Sequence, residues 1–403
     1  MISKINGGAI MTLDYSERMG SIKASEIREL LKLTQKPEII SFAGGLPAPE
    51  LFPVEIVKEM SAEVLDEMGT QALQYGPTEG FDPLREKIAK RMKKFGVDTE
   101  AKNILITSGS QQGLDFTGKI FLDKDDVVLC ESPSYLGALN AFKAYQPKFI
   151  EVPTDNDGMN MDELEKILES TDNIKVIYVI PDFQNPSGRT WSVERRKRII
   201  ELANKHNLPI VEDNPYGELR FEGEMPPSIK SFDTEGRVIF LGTFSKTFCP
   251  GFRLGWTCAE YEVLNKYILI KQGADLQAST LSQMILDRFL TKYDLDEHIE
   301  KIKAVYVKRR DLMLKTMEEE FPKEVSFTRP EGGLFTWVTL PEHINARDLA
   351  TKAIEKKVAF VPGGSFFPNG GNENTFRLNY SNMDEERIVI GVTRLAESIK
   401  EMI

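Results

Sequence analysis

Cysteine and histidine are scarce in this 403-residue chain, three of each, and the scarcity argues against whole classes of chemistry. Cys130, Cys249 and Cys258 give neither a disulfide framework nor a CxxC metal clip, which fits a reducing cytoplasm. His206, His298 and His343 stand far apart in polar contexts, against both a histidine-rich zinc site and a Ser-His-Asp triad, so no metal is expected. A basic excess is missing too: 51 Lys and Arg face 62 Asp and Glu, a formal charge of −11. Broad phosphate-backbone binding needs a basic face, so nucleic acid is not an expected partner. No apolar run approaches the roughly 20 residues of a membrane span. The opening MISKINGGAIMTLDYS has one lysine and no sustained apolar segment, so it does not read as a signal peptide, and Met11 is as good a start as Met1.

What is present is a series of short apolar or β-branched runs, each closed by a turn or helix-start signal. They are residues 103–108, 127–132, 148–153, 175–181, 208–214, 238–244 and 253–259, with helical stretches such as 195–205 between most of them. Near-continuous apolar strands alternating with helices predict an α/β domain, a mostly parallel seven-stranded sheet covered on both faces. Beyond about residue 285 the pattern changes. A long helical stretch, 296–320, precedes FTRPEGGLFTWVTL, VAFVPGGSFF and TFRLNYSN, which predict a smaller α+β domain. The expected division is an N-terminal segment 1–45, helical around Ala24–Lys32 and packed with the small domain, a large domain 46–285 and a small domain 286–403.

The chemistry-bearing residues sit just past the strands. Thr107-Ser-Gly-Ser-Gln-Gln-Gly113 enters a helix, and its backbone amides with Ser110 and Gln111 suit a phosphate, although a plain helix cap uses the same residues. Asn185-Pro-Ser-Gly188 reads equally as a loop turn. Asp213 follows an apolar strand, with Tyr216 three residues on, where a carboxylate is costly unless it meets a cation or strong donors. Lys246, in TFSKTFCPGFRLG, lies among hydroxyls and apolar residues, where partial desolvation lowers its pKa and favours amine chemistry. Arg253 offers a rigid fork for an anion. Each alone has an ordinary structural reading. Together, a phosphate turn, an acid, a phenol, an amide, a lysine and an arginine at the strand ends of one sheet match the needs of a pyridoxal phosphate site.

Asn185-Pro-Xaa-Gly188, Asp213-Xaa-Xaa-Tyr216, Ser245-Lys246 and Arg253, in that order, resemble the signature of the class I/II aminotransferases of the fold-type I pyridoxal phosphate group. ISFAGGLPAPELFP (40–53), LQYGPTEG (73–80), TSGSQQGL (107–114), VPGGSFF (361–367) and FRLNYS (376–381) look most like the 2-aminoadipate and kynurenine aminotransferases. The resemblance implies that Lys246 bonds the cofactor's aldehyde and carries the substrate's proton. It implies that Asp213 faces the ring nitrogen, that Asn185 and Tyr216 face the ring oxygen, and that Tyr135 stacks on the ring. Ser110, Gln111, Thr243, Ser245 and Arg253 then hold the phosphate, and Arg377 grips the substrate carboxylate beside Asn185 and Gly45. Tyr75 resembles the residue that family homodimers lend across the interface to the partner's phosphate.

The activity so implied is transfer of an amino group from an amino acid to a 2-oxo acid, with 2-oxoglutarate the expected acceptor and 2-aminoadipate, aromatic and branched-chain amino acids as donors. Family members shape side-chain choice with the N-terminal helix, here Met19–Arg28. Ser21 stands where an arginine is expected in members that select an acidic side chain, and Lys23 and Arg28 are its basic neighbours. Other readings remain: a β-lyase or decarboxylase on the same fold, or an aminotransferase-like domain of a ligand-sensing regulator. The latter expects a basic DNA-binding unit ahead of GGLPAPELFP, where this chain has about 40 residues.

Overall fold

The computed structural model describes residues 13–22 and 38–403. The helix expected around Ala24–Lys32, Met11, Lys23 and Arg28 lie outside the described residues. The strands in chain order are β1 (Ile40–Ser41), β2 (Ile104–Thr107), β3 (Val127–Ser132), β4 (Lys148–Asp155), β5 (Gly158–Met159), β6 (Ile174–Val179) and β7 (Ile210–Asn214). They continue with β8 (Val238–Thr243), β9 (Gly255–Cys258), β10 (Ser326–Phe327), β11 (Phe335–Thr339), β12 (Val358–Ala359), β13 (Val361–Pro362) and β14 (Thr375–Asn379).

The seven apolar runs of the middle of the chain are β2, β3, β4, β6, β7, β8 and β9. They lie in one sheet of order β2-β9-β8-β7-β6-β3-β4-β5, where two-residue β5 turns back along the edge strand. β3, β4, β6, β7 and β8 are parallel, and β9 runs antiparallel to both β8 and β2. The central strands are buried along their length, which is why they read as unbroken apolar runs rather than alternating ones. Helices start at identifiable caps: Asn160 accepts from the amides of Asp162 and Glu163, and Ser192 from that of Arg195.

One consequence of the reversed β9 positions the site. In a parallel sheet, ligands gather at the strands' carboxyl ends. The ends of β2, β6, β7 and β8 deliver Thr107, Val179, Asn214 and Thr243 to one edge, and β9, running the other way, begins there, so Arg253 arrives at the same edge from the front of its strand.

A second, antiparallel sheet of order β10-β11-β14-β13 forms the smaller unit, with β1 pairing in parallel to β12. The helix Leu295–Glu320 joins the two cores. Leu295, Ile299, Ile302 and Tyr306 pack with the large unit, whereas Met313, Leu314 and Met317 pack with Phe360, Phe376 and Leu378 of the small one. The Tyr306 hydroxyl accepts from the amide of Ala48, and Arg309 donates to the carbonyl of Ser381 and to Glu50, so polar contacts cross at the same place.

Candidate active site

The turn after β2 depends on a glycine. Gly109 has φ 74° and stands just ahead of the helix Ser110–Phe121, whose first amides receive no side-chain cap. A Cβ on Gly109 would lie 2.5 Å from Arg253 Nη2, and one on Gly255 would lie 2.7 Å from the Ser110 nitrogen. Backbone amides and a guanidinium are therefore packed as closely as glycine permits, a cradle for an anion at a helix start. Nearby, the Ser245 amide donates to Thr243 Oγ1 at 3.1 Å and the Thr243 hydroxyl donates to Ser245 Oγ at 3.0 Å, which fixes the hydroxyls beside Lys246.

Deeper in the sheet, Asp213 on β7 is buried, and the Tyr178 hydroxyl on neighbouring β6 donates to its Oδ2 at 3.0 Å. Its Oδ1, equally enclosed, has no partner. Burial pushes this carboxyl up to about 7 against the pull of Tyr178. A buried carboxylate oxygen without a donor is costly and suits a ligand that brings an N–H, as a protonated pyridine nitrogen does.

Lys246 is half-buried; its Nζ donates to the carbonyl of Gly45 at 2.7 Å. Burial, then Arg377, then Arg253 lower its pKa to about 8. At pH 7 roughly a tenth of the amine is then neutral, against about one part in three thousand for an ordinary lysine, and the neutral form is the one that attacks an aldehyde or accepts a proton.

Arg377 on β14 reaches in from the smaller sheet. Nη1 donates to Asn185 Oδ1 at 2.7 Å and Nη2 to the carbonyl of Ala43 at 2.6 Å. Phe335 and Phe366 stand 4.2 and 5.2 Å from its guanidinium carbon, while Nε is buried and unpartnered. Burial lowers its pKa to about 10. Asn185 Nδ2 makes a long 3.5 Å contact to the Tyr216 hydroxyl, so Arg377, Asn185 and Tyr216 form one chain. Tyr135 ends the loop before the helix Leu136–Lys143, and burial raises its phenol pKa.

Gly45, Ser110, Gln111, Tyr135, Asn185, Asp213, Tyr216, Thr243, Ser245, Lys246, Arg253 and Arg377 line a single cavity of about 340 Å³. Tyr75 does not join them. It is 78% exposed, in a separate recess beside Gln277 and Thr280. Ser21 lies away from the cavity lining and contacts the carbonyls of Arg18 and Lys143. Sequence reasoning missed Tyr178, Ile180 and Phe335. Tyr178 carries the one legible signal, a hydroxyl inside the buried, otherwise aliphatic part of β6, residues 176–179. Among the described residues, no cluster of His, Cys, Asp or Glu fits a metal ion, and no helix is long and apolar enough to cross a membrane.

Comparison with known proteins gives a consistent picture. The family model for aminotransferase class I and II matches residues 38–395. Aromatic-amino-acid aminotransferase 1 of Thermococcus litoralis is 50% identical over 97% of this chain and 96% of its own. The structure of kynurenine aminotransferase from Pyrococcus horikoshii, in complex with PMP, superposes with a TM-score of 0.93 at 44% identity, covering 96% of this chain and 97% of that one. The α-aminoadipate aminotransferase of Thermus thermophilus, complexed with N-(5′-phosphopyridoxyl)-L-leucine, gives a TM-score of 0.90 at 43% identity over 96% and 97% of the two chains.

Proposed function

Because this chain belongs to the class I and II aminotransferases and is a pyridoxal phosphate-dependent transaminase of fold type I, we propose that it moves amino groups from aromatic and other large amino acids, 2-aminoadipate included, to 2-oxoglutarate. The observation that carries the site reading is the pairing, in one cavity, of a half-buried Lys246 whose amine is lowered to about 8 with a buried Asp213 whose Oδ1 lacks a donor. The aromatic preference is supported by the relatives, an aromatic-amino-acid aminotransferase and a kynurenine aminotransferase.

Bound in this cavity, the cofactor supplies an aldehyde for the amino group and a protonated ring that draws electrons from the substrate α-carbon. Asp213 keeps negative charge opposite the ring nitrogen, with Tyr178 orienting the carboxylate. Asn185 and Tyr216 would hold the cofactor from the side of its ring oxygen, and Tyr135 would pack against it. The amides at Ser110 and Gln111, the hydroxyls of Thr243 and Ser245 and the Arg253 fork would hold the phosphate. Arg377 binds the substrate carboxylate with Asn185 and Gly45 beside it, its position set by the Asn185 and Ala43 contacts. Lys246 Nζ removes the α-proton and holds it for return, which requires the neutral amine and its placement near that carbon.

The reading includes a cytoplasmic homodimer in which Tyr75, exposed on one chain, enters the other chain's site, and two domains that meet along the helix Leu295–Glu320. The test is a donor panel with 2-oxoglutarate, following glutamate formation. Phenylalanine, tyrosine and kynurenine are expected to give the highest kcat/KM. No glutamate from any donor rejects the proposed acceptor, and activity confined to small aliphatic donors rejects the donor class.

A further inference from the structure

Behind the phosphate turn lies a polar cluster that does not touch the cavity. Lys271, on the helix Tyr261–Ala274, has a fully buried side chain. Its Nζ donates to Gln112 Oε1 at 2.7 Å and to both Asp275 oxygens at 2.8 and 3.0 Å. Gln112 Oε1 also accepts from the backbone amide of Ser108 at 2.9 Å, and its Nε2 donates to Asp275 Oδ2 at 2.7 Å. The Ser108 hydroxyl donates to the same oxygen at 3.1 Å.

Taking an ammonium out of water is costly unless it is paired and hydrogen-bonded, and a surface ion pair would have served any generic need at lower cost. Of these six bonds, four converge on the turn's two flanks. Two hold Ser108, directly before Gly109, and two more hold Gln112, directly after Gln111, while the remaining two pair Lys271 with Asp275. The turn between them has one residue at φ 74° and no side-chain cap at its helix start; its backbone is closed by the Gly109 amide on the Thr107 carbonyl at 2.8 Å, and the cluster anchors both of its flanks through side chains. Lys271 and Asp275 cancel in charge, so the cluster acts through geometry rather than through field.

We infer that Gln112, Lys271 and Asp275 are positioning residues that pre-organise the Ser108–Gln111 turn for the cofactor's phosphate. The inference rests on reading that turn as the phosphate site. Amides already aimed need no ordering when the anion binds, so affinity specific to the phosphate group is what the cluster provides. The loop that ends this helix also reaches the Tyr75 segment: the amide of Gly76 donates to Gln277 Oε1, and the Thr280 hydroxyl donates to the carbonyl of Gln74 at 3.3 Å.

Apoprotein is titrated separately with pyridoxal phosphate and with pyridoxal, which lacks the phosphate, for the wild type, Lys271→Met and Gln112→Met. Gln112→Met leaves the Lys271–Asp275 pair intact and serves if Lys271→Met does not fold. Both variants are expected to weaken pyridoxal phosphate at least about tenfold, the worth of one well-placed hydrogen bond, while pyridoxal binding stays within about twofold of wild type. Equal weakening of both ligands, or no change in either, overturns the inference. Should the wild type bind the two ligands equally well, the phosphate reading of the turn fails instead.

Discussion

The Tyr178 hydroxyl and the Asp213 carboxylate meet across β6 and β7 at 3.0 Å, and that single bond leaves the second carboxylate oxygen buried without a donor. The enzyme thus holds an acid that is half satisfied by its own chain and half reserved. Removing Tyr178's hydroxyl should raise the carboxyl above its value of about 7, since the bond is what pulls it down. Tyr178→Phe is expected to lower kcat about tenfold and Asp213→Asn at least about a hundredfold, as for a lost charge-stabilising contact, measured by steady-state turnover. Equal effects would make Tyr178 more than an orienting partner.

Asp213 also sets a pH dependence in the apoprotein. Its folded pKa is raised from 3.8 to about 7, so the folded state binds the proton more tightly. Stability is highest while the carboxyl is protonated and falls as pH rises from about 4 to about 7. Apo Asp213→Asn should therefore melt at least about 2 °C above apo wild type at pH 8, with the gap closing by pH 4. Thermal melts at both pH values decide it; a gap independent of pH contradicts the raised pKa.

Lys246→Ala should lose at least about three orders of magnitude in turnover, the scale of a positioned base, while retaining cofactor through the phosphate contacts. In the wild-type protein freed of cofactor, the amine titrates near 8 rather than 10.5. Its labelling by an amine-reactive aldehyde should accordingly rise through about pH 8, and a midpoint near 10 would show that burial does not act as described.

Arg377→Ala removes both the cation and the bond to Asn185. KM for the amino donor should rise about thirtyfold or more, the range for a lost buried charge contact. A fall in kcat with KM unchanged would place the carboxylate contact elsewhere.

Gly109→Ala forces a side chain into a left-handed turn and toward Arg253. Pyridoxal phosphate binding should weaken more than about tenfold, and the apoprotein should also melt lower, because the strain is carried by the folded state with or without the anion. Unchanged affinity in a titration would mean the turn does not hold the phosphate.

What could be read in the sequence follows its range. An apolar run ending in a polar residue is a local signal, so β6, β7 and β8 and the residues at their ends, Asp213 and Thr243 among them, were legible. Contacts set by the sheet's order were not. Tyr178 meets Asp213 only because β6 and β7 are neighbours, and Arg377 meets Asn185 across 192 positions only because the small sheet faces the large one. Nor does any local pattern announce that Lys271 is buried; it is one lysine in a helix until Gln112 and Asp275 close around it. Tyr75 was named through resemblance, and on one chain it faces outward beside Gln277 and Thr280.

The most direct test of the account is borohydride reduction of the cofactor-loaded protein followed by peptide mass mapping. A pyridoxyl group on Lys246 alone is the predicted result; label on another lysine, or none, would contradict the assignment on which the site rests.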